Sequence, residues 1–253
     1  MTPLRTILAT LFALIATAGS APADFINPGF ETGNLSGWAA AGDALVVTSS
    51  IGVAPRAGTY QALLTTASRN GDLNNFSGTD AVTATTLESF LGLASGTLGS
   101  GFEGSALKQV VIVNAGDVLT FNYKFLKTEG AAADFAFVTL NGYGPLADTT
   151  TGPFSPSAVV LDPVFGDPTQ ETGWRTYSHT FAAGGAYTLG IGVADANDEF
   201  NPSALLLDNG QLGPTAVNAV PAPGGLLLLA LGGITCLLGQ YRRRRPAPNP
   251  QSV

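Results

Sequence analysis

Turn-forming residues interrupt this chain at short intervals from residue 24 to residue 210. Pro55-Arg56-Ala57-Gly58, Asn114-Ala115-Gly116, Asn141-Gly142 and Ala183-Gly184-Gly185 each follow or precede an apolar run. Punctuation of this kind bounds strands. Inside one run, Phe121, Tyr123 and Phe125 alternate with Asn122 and Lys124, the period of a half-buried strand. Strands are expected over residues 44–50, 60–67, 106–113, 117–126, 134–140, 158–161, 174–181, 186–194 and 204–207. The pairs 106–113 with 117–126 and 174–181 with 186–194 read as hairpins across their turns. One stretch departs from this pattern. Asp80 can cap a helix, and Val82, Leu87, Phe90, Leu91 and Leu93 fall near helical spacing. A short helix is therefore expected over residues 80–94, followed by a loop at 99–104. Two stacked antiparallel sheets fit the count, so the expected class is all-β: a β-sandwich with one short helix.

Charge narrows the partners. The formal net charge is −7, but Arg5 and Arg242, Arg243, Arg244 and Arg245 lie at the ends. Six basic residues remain between residues 24 and 220 against all 18 acidic ones, a balance of −12 there. Such a surface repels nucleic acid and suits divalent cations. The one cysteine, Cys236, lies in the apolar tail, so the domain before it has neither disulfide nor thiol chemistry.

The two ends have their own patterns. Residues 1–23 read as a signal peptide, with Arg5 as the positive region, an apolar run over 7–16 and small residues from Thr17 to Ala23. That run is too short to span a bilayer. At the other end, residues 211–223 read as a linker. An apolar run follows over 224–241, then a basic stub over 242–253. The run is just long enough to cross a thin bilayer, and the arginines would stay on the cytoplasmic side. Val220-Pro221-Ala222-Pro223, the apolar run and the four arginines resemble the PEP-CTERM sorting signal, whose standard motif is Val-Pro-Glu-Pro. The resemblance implies a sorting enzyme of exosortase type acting near Pro221 and Pro223. It also implies delivery to the cell surface or extracellular matrix, with membrane anchoring through the C-terminal helix before processing. Alanine replaces the glutamate here, which leaves open which sorting enzyme reads the motif.

The domain over 24–210 also resembles a family. Asn27-Pro28-Gly29-Phe30-Glu31-Thr32-Gly33 with Trp38, the turn before Tyr60, the strand with Trp174, and Leu205-Leu206-Leu207-Asp208-Asn209 look like carbohydrate-binding jelly rolls of the galactose-binding-like type. The segments 90–93, 104–106, 115–117 and 121–129 are similar to domains often found ahead of PEP-CTERM tails. In similar jelly rolls a structural Ca²⁺ joins the opening motif to the closing aspartate. That implies Glu31 and Asp208 as ligands, with Asn27 and backbone carbonyls completing the shell. Turn capping is the plainer reading of the same residues.

Trp38, Tyr60, Trp174 and Tyr177 are the candidates for a sugar-stacking platform, although Trp38 and Trp174 also suit a core. The acidic run from Asp195 to Glu199 lacks the glycine and distal glutamate of a calcium loop and reads as a solvated turn. His179 is the only histidine and alternates with Tyr177 and Phe181 on one strand. No Gly-x-Ser-x-Gly elbow occurs, and one His with one tail Cys cannot build a zinc site. A non-catalytic role is expected: an exported structural or interaction protein of the surface or exopolysaccharide matrix, or a carbohydrate-binding module for matrix polysaccharide.

Overall fold

The computed structural model describes residues 24–68, 75–128, 133–140, 142–161, 168–197 and 200–214. The signal segment, the sorting tail with Val220, Pro221, Pro223 and Arg242 to Arg245, and Asp198 and Glu199 lie outside the described residues. Thirteen strands and one α-helix occur among the described residues. They are β1 (Ala39–Ala41), β2 (Asp43–Val47), β3 (Gln61–Thr65), β4 (Val82–Thr83), α1 (Ala84–Leu91), β5 (Gly101–Val113), β6 (Asp117–Thr128), β7 (Phe135–Leu140), β8 (Tyr143–Asp148), β9 (Ser155–Pro156), β10 (Thr169–Glu171), β11 (Arg175–Thr180), β12 (Gly185–Ala196) and β13 (Ser203–Pro214).

Two antiparallel sheets face each other. The six-stranded sheet runs β1-β5-β12-β7-β8 with β4 beside β5, and the seven-stranded sheet runs β2-β3-β13-β6-β10-β9 with β11 beside β6. The all-β sandwich with one short helix is therefore present as expected. Its interior takes every second residue of the central strands. Leu107, Val111, Leu189, Ile191 and Val193 from one sheet meet Leu64, Phe121, Phe125, Leu205 and Leu207 from the other, all buried.

The expected hairpins are not hairpins. β5 and β6 lie in different sheets, as do β11 and β12. The turns at Asn114-Ala115-Gly116 and Ala183-Gly184-Gly185 carry the chain across the sandwich instead. Alternation gives a strand an inward face but not a partner, and an inward face is the same whether the next strand lies beside it or opposite it. The two corners are tied together, since Gly116 N–H donates to Phe181 C=O at 2.7 Å. A third crossing is tighter. β1 belongs to one sheet and β2 to the other, with only Gly42 between them. Gly42 has φ +83°, and a Cβ there would lie 2.3 Å from Ser105 Oγ. No other residue fits both the backbone conformation and the space.

Other boundaries also moved. The loop expected at 99–104 is already strand from Gly101, and residues 158–161 are irregular coil whose Val159 and Leu161 pack on the outer face of the seven-stranded sheet. β13 continues to Pro214, past the expected boundary at 210, with Gln211 to Pro214 paired to β6 after a bulge. The helix starts later than expected. Thr83, not Asp80, is its N-cap, with Oγ accepting from Thr86 N–H. Asp80 instead accepts from Asn75 Nδ2 at 2.5 Å.

Helix α1 lies on the outer face of the six-stranded sheet because the sequence makes room for it. Along β12, Leu189, Ile191 and Val193 point inward while Gly190, Gly192 and Ala194 point outward. Leu87 and Leu91, one helical turn apart, settle against Ala106, Phe137 and Ala194 on that outer face. A Cβ on Gly190 would lie 2.5 Å from Leu91 Cδ2, so the glycine is required by the closeness of the helix. Lys108 fastens the helix end, with Nζ donating to Phe90 C=O and lying 4.3 Å from the centre of the Phe90 ring.

Candidate functional site: a carboxylate corner and an uncharged cleft

The first candidate lies where the opening loop meets the end of β13. Glu31 and Asp208 both approach Gly29: a Cβ on that glycine would be 3.9 Å from Glu31 Cγ and 3.8 Å from Asp208 Oδ1. Both carboxylates also hold the loop before β3. Glu31 accepts from the backbone amides of Thr59 at 3.0 Å and Tyr60 at 3.2 Å. Asp208 accepts from Ala57 N–H at 2.8 Å and Asn209 N–H at 2.5 Å. Burial pushes the Asp208 carboxyl above its ordinary value, amides of the loop oppose that, and the nearby Glu31 charge adds to the rise. The fold thus brings the first and last motifs together, as the resemblance to jelly rolls implied.

These residues partly fit a calcium ion. Glu31 Oε1 accepts two amides, from Thr59 and Tyr60, whereas Oε2 accepts only that of Thr59 and keeps a lone pair that a cation could share. Two hard anionic groups beside backbone carbonyls suit Ca²⁺. No group of three or more His, Cys, Asp or Glu able to hold a metal occurs among the described residues, so carbonyls would have to supply most of the shell. Asn27 is engaged elsewhere. Its Nδ2 donates to the carbonyls of Asn34 and Ser36, its Oδ1 accepts from Thr32 N–H, and its carbonyl accepts from Trp38 Nε1. In the described chain Asn27 organises the opening loop.

The four aromatic candidates do not share a face. Trp38 is 9% exposed, stacked on Phe30 and edge-on to Phe25, both at 5.7 Å. Tyr60 is half-buried beside Gly33. Trp174 covers the outer face of the seven-stranded sheet, with Lys124 Nζ 5.5 Å from its ring. Tyr177 turns to the interior and stacks on Phe121 at 4.8 Å; burial raises its hydroxyl pKa. His179 lies edge-on to Phe181 at 5.0 Å on the same strand.

The second candidate was not among those residues. A cleft of 590 Å³ opens on the outer face of the six-stranded sheet beside the C-terminal end of α1. Leu91, Leu93 and Thr97 form one wall, and Thr139, Tyr143 and Thr188 form the floor and the opposite side. Strand register explains the convergence. Tyr143 pairs with Thr139, Thr139 with Gly190 and Gly190 with Lys108, one row across four adjacent strands. At the usual strand spacing the row is about 14 Å long. Thr188 pairs with Val110 in the next row, and a second hollow of 320 Å³ lined by Lys108 and Val110 shares Thr188 with the cleft.

The wall is built by a buried carboxylate. Glu88, 4% exposed, accepts from Gly96 N–H at 2.9 Å and Leu98 N–H at 2.8 Å. Those bonds fold the segment after the helix back over the sheet. Tyr143 is 41% exposed and is braced by Phe137, ring to ring 5.9 Å. Partial burial and the charge of Asp148 raise its hydroxyl pKa. None of the residues lining the cleft carries a charge.

No protein-family model matches the chain, and no curated protein matches it. Solved structures do align with it. The carbohydrate-binding module TmCBM61, solved with β-1,4-galactotriose, aligns over 76% of this chain and 97% of its own, at 14% identity and a TM-score of 0.42. A cleaved adhesin domain of Lys-gingipain from Porphyromonas gingivalis aligns over 77% and 98%, at 10% identity and a TM-score of 0.41. A CBM35 from Paenibacillus barcinonensis aligns over 72% and 96%, at 15% identity and a TM-score of 0.28. At these scores the site assignment rests on the geometry of this chain.

Proposed function

We propose that this chain is an exported polysaccharide-binding protein of the cell surface or extracellular matrix, and that the cleft beside α1 holds the glycan. The cleft's chemistry supports this reading. An exposed tyrosine ring offers an apolar face to sugar C–H groups, and threonine hydroxyls from three separate segments surround it. The lining has no charge, and the chain as a whole is acidic, so a neutral glycan is favoured over a uronate polymer. With no carboxylate, histidine or cysteine in its lining, the cleft suits binding rather than catalysis. A matrix scaffold without glycan affinity is the competing reading. The buried Trp38 suits it, but it leaves the cleft without a purpose.

The test is a glycan array probed with the full chain and with Tyr143→Ala. Binding to neutral polysaccharide that falls at least about tenfold in the variant is expected, since a stacked aromatic is worth about 1–2 kcal/mol. Equal binding by both proteins would place the glycan elsewhere, and no binding at all would favour the scaffold.

The reading includes the two ends. Residues 1–23 direct export, and Val220-Pro221-Ala222-Pro223 with the apolar run and Arg242, Arg243, Arg244 and Arg245 is read by a sorting enzyme of exosortase type; the support is the sequence pattern alone. Replacing the four arginines by glutamine should abolish C-terminal processing and surface retention, followed by mass spectrometry and fractionation. Unchanged processing would remove the sorting signal from the account. A structural Ca²⁺ at Glu31 and Asp208 completes it.

A further inference from the structure

The cleft contains one feature that a simple sugar-stacking surface would not need. Thr139 is 3% exposed, and its Oγ has no hydrogen-bond partner. A buried hydroxyl in this state is costly, and most such groups find a partner. It lines the floor of the cleft rather than lying deep in the sandwich. An apolar group shares its surroundings: a Cβ on Gly190 would lie 2.3 Å from Thr139 Oγ and 2.5 Å from Leu91 Cδ2. Leu91 lies at the last turn of α1, with Leu93 and Ala94 following it along the same wall. A hydrogen-bond donor therefore meets a cluster of methyl groups at one spot, at the foot of a cleft whose other side is an exposed tyrosine.

An acetyl group has the matching chemistry. Its carbonyl oxygen accepts a hydrogen bond from a neutral hydroxyl, and its methyl seeks apolar contact. A plain sugar hydroxyl would satisfy Thr139 but would place nothing against Leu91 and Leu93. Resting on the polysaccharide reading, we infer that the cleft selects acetylated sugar units, with the acetyl carbonyl on Thr139 Oγ, the acetyl methyl on Leu91 and Leu93, and the sugar ring on Tyr143. Leu91 Cδ2 and Thr139 Oγ both border the space over Gly190, so entry of the acetyl group turns one leucine side chain. The cost of that turn is offset by ending the isolation of the hydroxyl.

The experiment is calorimetric titration of the full chain with three probes of the same linkage and length. They are the N-acetylglucosamine hexamer, the unsubstituted glucose hexamer, and that glucose hexamer after chemical O-acetylation. At least one acetylated hexamer should bind about tenfold more tightly than the unsubstituted one, the worth of one buried hydrogen bond with its apolar contact. The N- and O-acetylated arms then tell which linkage the cleft accepts. Thr139→Val keeps the shape and removes the hydroxyl, so it should bring that ratio close to one. The same variant should melt no lower than the parent, because it deletes a buried group without a partner. Equal affinities for all three probes, with Tyr143→Ala weakening each, would overturn the acetyl assignment and leave the cleft as the glycan site. A ratio unaffected by Thr139→Val in a folded protein would also overturn it. No binding by any probe would overturn this assignment, and no binding to any glycan on the array would remove the polysaccharide reading with it.

Discussion

Chelating calcium should lower the melting temperature of this protein, and restoring calcium should raise it again. The Glu31 side chain and the Asp208 carboxylate both come close to Gly29, the Glu31 charge acts on Asp208, and burial already pushes Asp208 toward its neutral form. A divalent cation between them would relieve both the desolvation and the mutual repulsion. It would also tie the opening loop to the end of β13 in a domain that has no cysteine to do so. A ligand bound only by the folded state adds about 2.7 kcal/mol at one hundred times its Kd, or roughly 5–10 °C for a domain of this size. Glu31→Gln and Asp208→Asn should each lose most of the response, and magnesium should replace calcium poorly because it demands a tighter octahedron. Asp148→Asn, on the edge strand β8, should keep the response in full. Identical melting curves with and without chelator would remove the metal and leave the two carboxylates as clamps for the loop before β3.

Asp43→Ala should destabilise the fold at least as strongly. Asp43 is fully buried and accepts three hydrogen bonds: from Thr65 Oγ at 2.5 Å, Phe76 N–H at 2.9 Å and Ser77 N–H at 2.6 Å. It sits directly after Gly42, where the chain changes sheets, and its own amide donates to Ser105 Oγ at 2.7 Å. Alanine would strand three donors, each worth about 1–3 kcal/mol when left without a partner. Allowing for relaxation toward water, a loss of about 3 kcal/mol is expected, or about 10 °C. Asp43→Asn retains one acceptor oxygen and should fall between. Thr180→Ala, exposed on β11, should stay within about 0.5 kcal/mol of the parent. Thermal denaturation followed by circular dichroism separates these outcomes. An Asp43→Ala protein as stable as the parent would mean that the 75–80 segment is held by something else.

The sandwich was legible because its signals are local. Phe121, Tyr123 and Phe125 alternate with polar residues, and they do face the interior. Pairing was not legible, because it depends on which sheet a strand joins. The turn after Val113 looks the same in sequence whether it closes a hairpin or, as found, crosses the sandwich. The corner at Glu31 and Asp208 was reachable through a resemblance spanning both motifs. The cleft was not. Tyr143 follows the Asn141-Gly142 turn, which marks the end of one strand, but the residues after it carry no alternation that signals the next. Thr139, Gly190 and Leu91 are distant in sequence and meet only through the register of β7 and β12 and the placement of α1. The small outward residues of β12, Gly190, Gly192 and Ala194, were the available hint that something packs on that face.

The polysaccharide reading is tested most directly by locating a bound glycan. Two-dimensional NMR of the isotope-labelled chain, titrated with the tightest-binding oligosaccharide from the array, reports the position residue by residue. Shifts should concentrate at Thr139, Tyr143, Thr188 and Gly190 and along the wall from Leu91 to Thr97. Shifts confined to Trp174 and the outer face of the seven-stranded sheet, or to the loops around Glu31 and Asp208, would contradict the cleft as the binding site.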